Sequence, residues 1–211
     1  MKKLVLLMVV AMTTATTFSQ IKVRPGFRAG LNASKITNLE NVNRKVGVNA
    51  SMFVNLHLSR FYELQPELTY SNQGWSRDSY RFTDPYNDIT YNVNSEDVST
   101  HYIGIALTNK FFMSPKIGLH VLLGPGMEFN VSDNLPYDTI TPIDLTLFAG
   151  IGYEFPFGLG LEARYKQGLI DVRDGYYDDY YNNGYYEGEY YNGKNKLNSV
   201  FQFSVFYKFA W

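Results

Sequence analysis

KVGVNASMFVNLHLS, residues 45–59, places Val46, Val48, Ala50, Met52, Val54, Leu56 and Leu58 on one face of the chain. Gly47, Asn49, Ser51, Asn55 and His57 fall on the other. Successive side chains of an extended chain point to opposite faces, so strict period 2 over this length predicts a strand and does not fit a helical turn. The stretch is far longer than the usual five or six residues of a globular strand and exceeds the roughly 9–11 that a tilted strand needs to cross a bilayer.

The same alternation predicts eight strands, near Gly26 to Ser34, Lys45 to Leu58, Phe61 to Trp75, Val98 to Met113, Lys116 to Val131, Pro142 to Phe155, Gly158 to Asp171 and Asn198 to Trp211. Connections between them alternate in length. Ser59/Arg60, Ser114/Pro115 and Pro156/Phe157 are tight; Lys35 to Arg44, Ser76 to Asp97, Ser132 to Thr141 and Val172 to Leu197 are long. An up-and-down barrel collects alternate connections at opposite ends, and transmembrane barrels carry short periplasmic turns and long outer loops. The predicted fold is an all-β, eight-stranded antiparallel up-and-down transmembrane β-barrel.

A soluble exported barrel would alternate too, with its apolar face inward. Three features point the apolar face outward. Gly47, Gly104, Gly118, Gly124, Gly126, Gly150, Gly152, Gly160 and Gly168 all share the polar face. Small residues suit the interior of an eight-stranded barrel, which is only just wide enough for side chains. That face also carries acids (Glu63, Glu67, Glu128, Asp144, Glu154, Glu162) and bases (Arg28, Lys110, Arg164, Lys166, Lys208) in near balance. Enclosed, they are expected to pair as a lumen charge network, since buried charges require partners. Aromatics at strand ends, Phe61, Tyr62, Phe111, Phe112, Tyr153, Phe155, Phe209 and Trp211, read as an interfacial girdle.

The N-terminus, MKKLVLLMVVAMTTATTFSQ, has two lysines, a short apolar run from Leu4 to Met12 and then small hydroxylated residues. This is the layout of a secretory signal peptide, and the run is too short to span a membrane as a helix. Thr17 and Ser19 at −3 and −1 place cleavage after Ser19, so residues 1–19 are read as signal peptide and 20–211 as the barrel domain. The sequence has no cysteine, which removes disulfides, thiolate metal sites and a cysteine-linked lipid anchor. Net charge is −1 with no basic block, so nucleic acid is not an expected partner.

Pro66 and Pro125 interrupt two strands on the apolar face; a bulge or strand end is expected near each, because a closed barrel has no free edge for a missing N–H. The last segment, NSVFQFSVFYKFAW, alternates aromatics with Gln202, Ser204 and Lys208 and stops on Trp211. Such a terminal strand looks like the signal read by the outer-membrane barrel-assembly machinery. FRAGLNAS (27–34), LQPELTYSNQGW (64–75), LLGPGMEF (122–129), LFAGIGYEF (147–155) and LGLEARYKQGLIDV (159–172) resemble the PorT-like outer-membrane β-barrel family of Bacteroidetes-type Gram-negative bacteria. The resemblance implies an eight-stranded outer-membrane barrel and no catalytic motif. One departure is the fourth strand, HYIGIALTNKF, where Gly104, Ile105 and Ala106 replace an expected Glu-Ile-Pro and leave room in the interior.

Candidate chemistry is sparse. Ser99, His101 and Glu96 could form a Ser-His-Glu set near the outer rim, and His57 and His120 could meet with Glu63 or Glu128 as metal ligands. A solvated rim histidine and hydrogen-bonded lumen histidines account for the same residues, and no enzyme, no cofactor and no metal centre is expected. Eight filled strands also leave no open aqueous channel. Long loops remain. SRDSYRFTDPYNDITYNVNSED (76–97) and the segment from 176 to 195 are acidic and aromatic. The latter holds Tyr176, Tyr177, Asp178, Asp179, Tyr180, Tyr181, Tyr185, Tyr186, Glu187, Glu189, Tyr190 and Tyr191. Tyrosine offers flat amphipathic contact area at low entropic cost. These residues are the candidate ligand-binding site, for an extracellular protein or glycan or, through Asp174, Asp178, Asp179, Glu187 and Glu189, a divalent ion. An extended, solvated hairpin without a partner is the alternative. The expected function is a non-enzymatic structural or adhesin-like surface protein in contact with outer-membrane lipid. An accessory of an envelope secretion or assembly complex is the second reading, and a lipid-modifying enzyme the third.

Overall fold

The computed structural model describes residues 21–39, 42–83, 90–114, 117–135, 140–172 and 195–209. Strands β1 (Lys22–Ile36), β2 (Val42–Ser59) and β3 (Tyr62–Arg77) are followed by a short pair, β4 (Tyr80–Thr83) and β5 (Thr90–Val93). Then come β6 (Glu96–Phe112), β7 (Leu119–Asp133), β8 (Ile143–Glu154), β9 (Leu159–Gly168) and β10 (Asn198–Lys208). Eight of them close in the order β1-β10-β9-β8-β7-β6-β3-β2, every neighbour antiparallel. Closure is made by β1 on β10, from Gly26 against Lys208 to Ile36 against Asn198. No edge is left in the barrel, so its ladder satisfies the backbone N–H and C=O groups that lipid cannot.

The side chains are sorted in reverse of a soluble protein. Phe27, Leu31, Val48, Met52, Leu68, Ile105, Leu123, Leu147, Leu161 and Phe203 are exposed, while Arg28, Glu67, Lys110, Glu162, Arg164 and Lys208 are buried. Hydrophobic residues out and charges in is the arrangement required when the surrounding solvent is hydrocarbon. Strand lengths are uneven: β2 and β6 run 18 and 17 residues, β9 and β10 only 10 and 11. The surplus over about 9–11 per crossing lets β2, β3 and β6 rise past the apolar band at the end that carries the long connections.

Several features depart from the sequence expectation. The connection from 76 to 97 contains the β4–β5 hairpin, with Tyr80 against Val93 and Phe82 against Tyr91. Its YRFT and TYNV segments are only four residues each, too short for periodicity to stand out. The turn at Ser114/Pro115 is wider than two residues, because β7 starts at Leu119 and not at Lys116. Gly118 has φ 76°, a left-handed conformation, and a Cβ there would lie 2.0 Å from the Glu154 carbonyl oxygen.

Neither proline carries a bulge. Pro66 stands opposite Leu107 in an unbroken β3–β6 register, and Pro125 opposite Leu147 in an unbroken β7–β8 register. On their other flanks the pairing lapses, between Phe53/Glu67 and Leu56/Leu64 and between Ala106/Gly126 and Asn109/Leu123, and resumes in the same register. A local gap in one ladder replaces the shift because strands held on both sides resist slipping. The shifts lie elsewhere, between Arg44 and Asn49, between His57 and Ser59, and between His101 and Tyr102. Phe112 is not a girdle residue: it is half-buried, with its ring 4.9 Å from that of His120 inside the barrel. Tyr153, Phe155 and Phe157 do cluster at the short-turn end, as do Phe27, Tyr207 and Phe209.

Interior crowding generates a test. A Cβ on Gly152 would sit 2.4 Å from His120 Nε2 and 2.9 Å from Glu162 Cγ. Gly152→Ala is expected to destabilise the barrel by about 1–3 kcal/mol through overpacking. Adding His120→Ala should recover part of the loss, as read by urea unfolding in lipid vesicles.

Candidate functional site

The lumen is filled in layers. Near the short-turn end, Phe53 and Phe206 pack edge to face at 6.4 Å, with His120 6.4 Å from Phe206. Lys208 Nζ, buried beside them, donates to Glu63 at 2.6 Å and to Glu154 at 2.5 Å. Lys110 Nζ lies 4.4 Å above the Phe206 ring, a cation–π contact within a desolvated interior. At mid-height Arg164 bridges two carboxylates, donating to Glu67 at 2.9 Å and Glu162 at 2.7 Å. Arg28 also spans Glu67 and Glu162, at 2.8 and 3.5 Å, and Lys110 completes the cluster on Glu162 at 2.5 Å. Glu67 also accepts from the Thr108 hydroxyl at 2.6 Å and from Gln65 Nε2 at 2.8 Å.

Higher up, Lys166 meets Glu128 at 2.5 Å, and Gln73 donates to the same carboxylate at 2.9 Å. Asn32, Asn49, Gln202 and Ser204 form an amide and hydroxyl chain beside it. Asp144 differs from the other predicted lumen charges. It accepts from Asn198 Nδ2 at 2.9 Å and faces the backbone N–H groups of Leu169 and Ile170, and among the described residues no Lys or Arg lies within ion-pair distance. Toward the long-loop end, Ile36, Val98, Tyr102, Val172 and Val200 are buried. These apolar residues, with Phe53 and Phe206 at the other end, share the inward face with the charges. Alternation alone could not single them out.

The room left by Gly104 and Ala106 is small. A cavity of about 20 Å³ lies among Arg28, Glu67, Ala106, Gly126, Glu128 and Arg164. That is space for about one water.

The histidines divide between separate surroundings. His57 Nδ1 is 3.0 Å from Glu63, while His120 Nδ1 is 3.1 Å from the Gly118 carbonyl oxygen and its Nε2 is 3.7 Å from Glu162. They share no carboxylate, and among the described residues no cluster has metal-site geometry. His101 lies near the outer rim, where its Nδ1 is 2.8 Å from the Tyr70 hydroxyl. Asn72 donates to Ser99 Oγ at 2.9 Å and also lies 3.3 Å from the His101 ring nitrogens. Asn72 therefore stands between the two, and Tyr70 takes the place of an acid. A hydrolase would need Ser99 bonded to His101 and a carboxylate orienting the ring.

The tyrosine-rich segment, Tyr176 to Tyr191, lies outside the described residues, as do the N-terminal residues 1–20 and Trp211. Its base is described. Val172 N–H donates to the Lys196 carbonyl, Thr141 N–H to the Val172 carbonyl, and Thr37 N–H to the Leu197 carbonyl. Lys196 Nζ donates to the Asn38 carbonyl and Asn38 Nδ2 to the Asn195 carbonyl. The segment thus springs from a hydrogen-bonded collar joining three of the long connections at one end of the barrel.

An edgeless eight-stranded barrel with an apolar exterior and a charge-filled interior is an outer-membrane type of structure. Residues 17–174 match the model of the outer membrane protein beta-barrel domain, and the chain belongs to that family. Among solved structures, its fold is similar to that of Neisserial surface protein A (NspA), at 14% identity and a TM-score of 0.50, covering 90% of this chain and 99% of that one. Ail, the attachment invasion locus protein of Yersinia pestis, aligns over 89% of this chain and 99% of its own, at 11% identity and a TM-score of 0.48. No curated protein sequence matches.

The central network makes a quantitative prediction. Glu162→Gln leaves Arg28 and Arg164 on Glu67 alone and Lys110 without its carboxylate, and is expected to cost about 3–5 kcal/mol. In a double-mutant cycle, adding Lys110→Met should cost less than the sum of the single changes. Urea unfolding in vesicles, followed by the altered gel mobility of the unfolded chain, measures both.

Proposed function

We propose that this chain is a non-enzymatic outer-membrane protein whose barrel is a sealed anchor and whose work is done by its outer loops, in an adhesin-like binding role. The observation that carries this is the lumen: Phe53, Phe206, the Arg28–Glu67–Arg164–Glu162 cluster and the buried Val98, Tyr102 and Val200 occupy successive heights. Transport needs an open path, and ionic side chains locked to one another offer none. Hydrolysis at the rim lacks a bonded serine–histidine pair. What remains are the connections raised on β2, β3 and β6 and on the 170–172/195–197 collar.

The finer reading is a member of the PorT-like group, exported by residues 1–19 as a signal peptide and folded by the barrel-assembly machinery through its last strand. The loop ligand is an extracellular protein or glycan, held by Tyr176, Tyr177, Tyr180, Tyr181, Tyr185, Tyr186, Tyr190 and Tyr191. Asp178, Asp179, Glu187 and Glu189 supply hydrogen-bond acceptors or a divalent-ion site. Support comes from chemistry: amphipathic rings beside acids and amides suit polar surfaces.

Two measurements test the proposal. In planar lipid bilayers the purified barrel should give no steady porin-like current, and a stable ohmic conductance would refute the sealed lumen. Deleting residues 176–191 should abolish capture of surface ligands in a pulldown while the barrel still folds, and unchanged capture would remove the binding role.

A further inference from the structure

The outward face of the barrel changes character where β1, β2, β9 and β10 leave the apolar band. Below lie Leu31, Val46, Val48 and Phe203, all exposed. Above them, Lys35 pairs across to Ser199 of β10, and Arg44 of β2 reaches over β1 to donate to the same Ser199 carbonyl, so the two cations stand beside one residue on the outward face. Like charges brought close on one face repel, and an anion between or beside them relieves that repulsion. Among the described residues neither cation makes an ion pair.

Arg44 is also held in place. Its Nη1 donates to the Ala33 carbonyl at 2.8 Å and the Ser199 carbonyl at 3.1 Å, and its guanidinium lies 4.6 Å above the Phe201 ring. Tyr165 packs against Phe201 at 5.0 Å and donates to Gln167 at 2.6 Å. The bonds to Ala33 and Ser199 leave guanidinium N–H groups unused, since the fork carries five. On the neighbouring β3–β6 pair the rim residues at the long-loop end, Tyr70, Asn72, Ser99 and His101, bond to one another and include no Lys or Arg.

We propose that Lys35 and Arg44, flanked by Tyr165 and Phe201, bind the phosphate of an outer-leaflet lipid. The phosphate accepts from the Arg44 fork and from Lys35 Nζ, relieving the repulsion between them. The acyl chains run down the exposed Leu31, Val46, Val48 and Phe203. A lipid fits better than a free anion because the cations sit directly above an apolar surface, where one molecule satisfies both. The site rests on the assignment of the long connections to the cell exterior, which determines the leaflet but not the chemistry.

The test is native mass spectrometry of the full barrel in zwitterionic micelles, titrated with lipid A, a phosphorylated glucosamine lipid. Wild type should retain it, and retain less of lipid A stripped of phosphate. The Lys35→Gln/Arg44→Gln double variant should bind about tenfold more weakly, from the attraction of two boundary cations for an anionic headgroup. Equal retention by wild type and variant would overturn the site. Displacement of lipid A by millimolar inorganic phosphate would overturn the lipid in favour of a free anion. Should the double variant not fold, Lys35→Gln alone must still weaken retention, and unchanged binding by that single variant overturns the site as well. Accessibility of a tag inserted in the 176–191 segment on intact cells reports orientation separately, so a wrong orientation and an absent site give different results.

Discussion

Arg164 reaches Glu67 and Glu162 at once, and the rest of the molecule is arranged around the need to keep that fork satisfied. A closed barrel of eight strands has an interior without water to spare, and an isolated charge there would cost several kcal/mol. Each cation of the central cluster therefore meets at least one carboxylate, and the acids are shared: Glu162 serves Arg28, Lys110 and Arg164 together. Because these residues come from β1, β3, β6 and β9, the network ties the barrel across its width as well as around its circumference.

That constraint separates the two halves of the protein's chemistry. The charged residues of the central strands are turned inward and paired with one another. What can meet another molecule lies at the boundaries: the collar that carries the tyrosine-rich segment, the β4–β5 hairpin, and the outward patch of Lys35 and Arg44. The short-turn end is different in kind, with exposed aromatics packed on one another around Phe155 and Phe209.

Much of the barrel was legible because one physical rule, opposite faces in alternation, repeats along eight strands. Inward parity placed Arg28, Glu63, Glu67, Lys110, Glu128, Asp144, Glu154, Glu162, Arg164, Lys166 and Lys208 on one face, and that face is the lumen. Parity gives a side but not a height or a partner. It could not show that Asp144 is met by amides instead of a cation, nor that Phe53 packs on Phe206 and Phe112 on His120. The prolines misled for a related reason. Their local cost predicted a bulge or a strand end, but strands paired on both flanks absorb the missing N–H as a gap in one ladder.

The sequence by itself determined the fold class, the sidedness of the eight barrel strands and the sharing of one end by the long connections, since these follow from local periodicity and spacing. Tertiary structure decided who meets whom. Asn72 parts Ser99 from His101, His57 and His120 go to different carboxylates, and Arg44 reaches across β1 to Ser199, the β10 residue opposite Lys35. Such contacts depend on the register between strands and on barrel closure, quantities fixed by all the strands together and written in none of them alone.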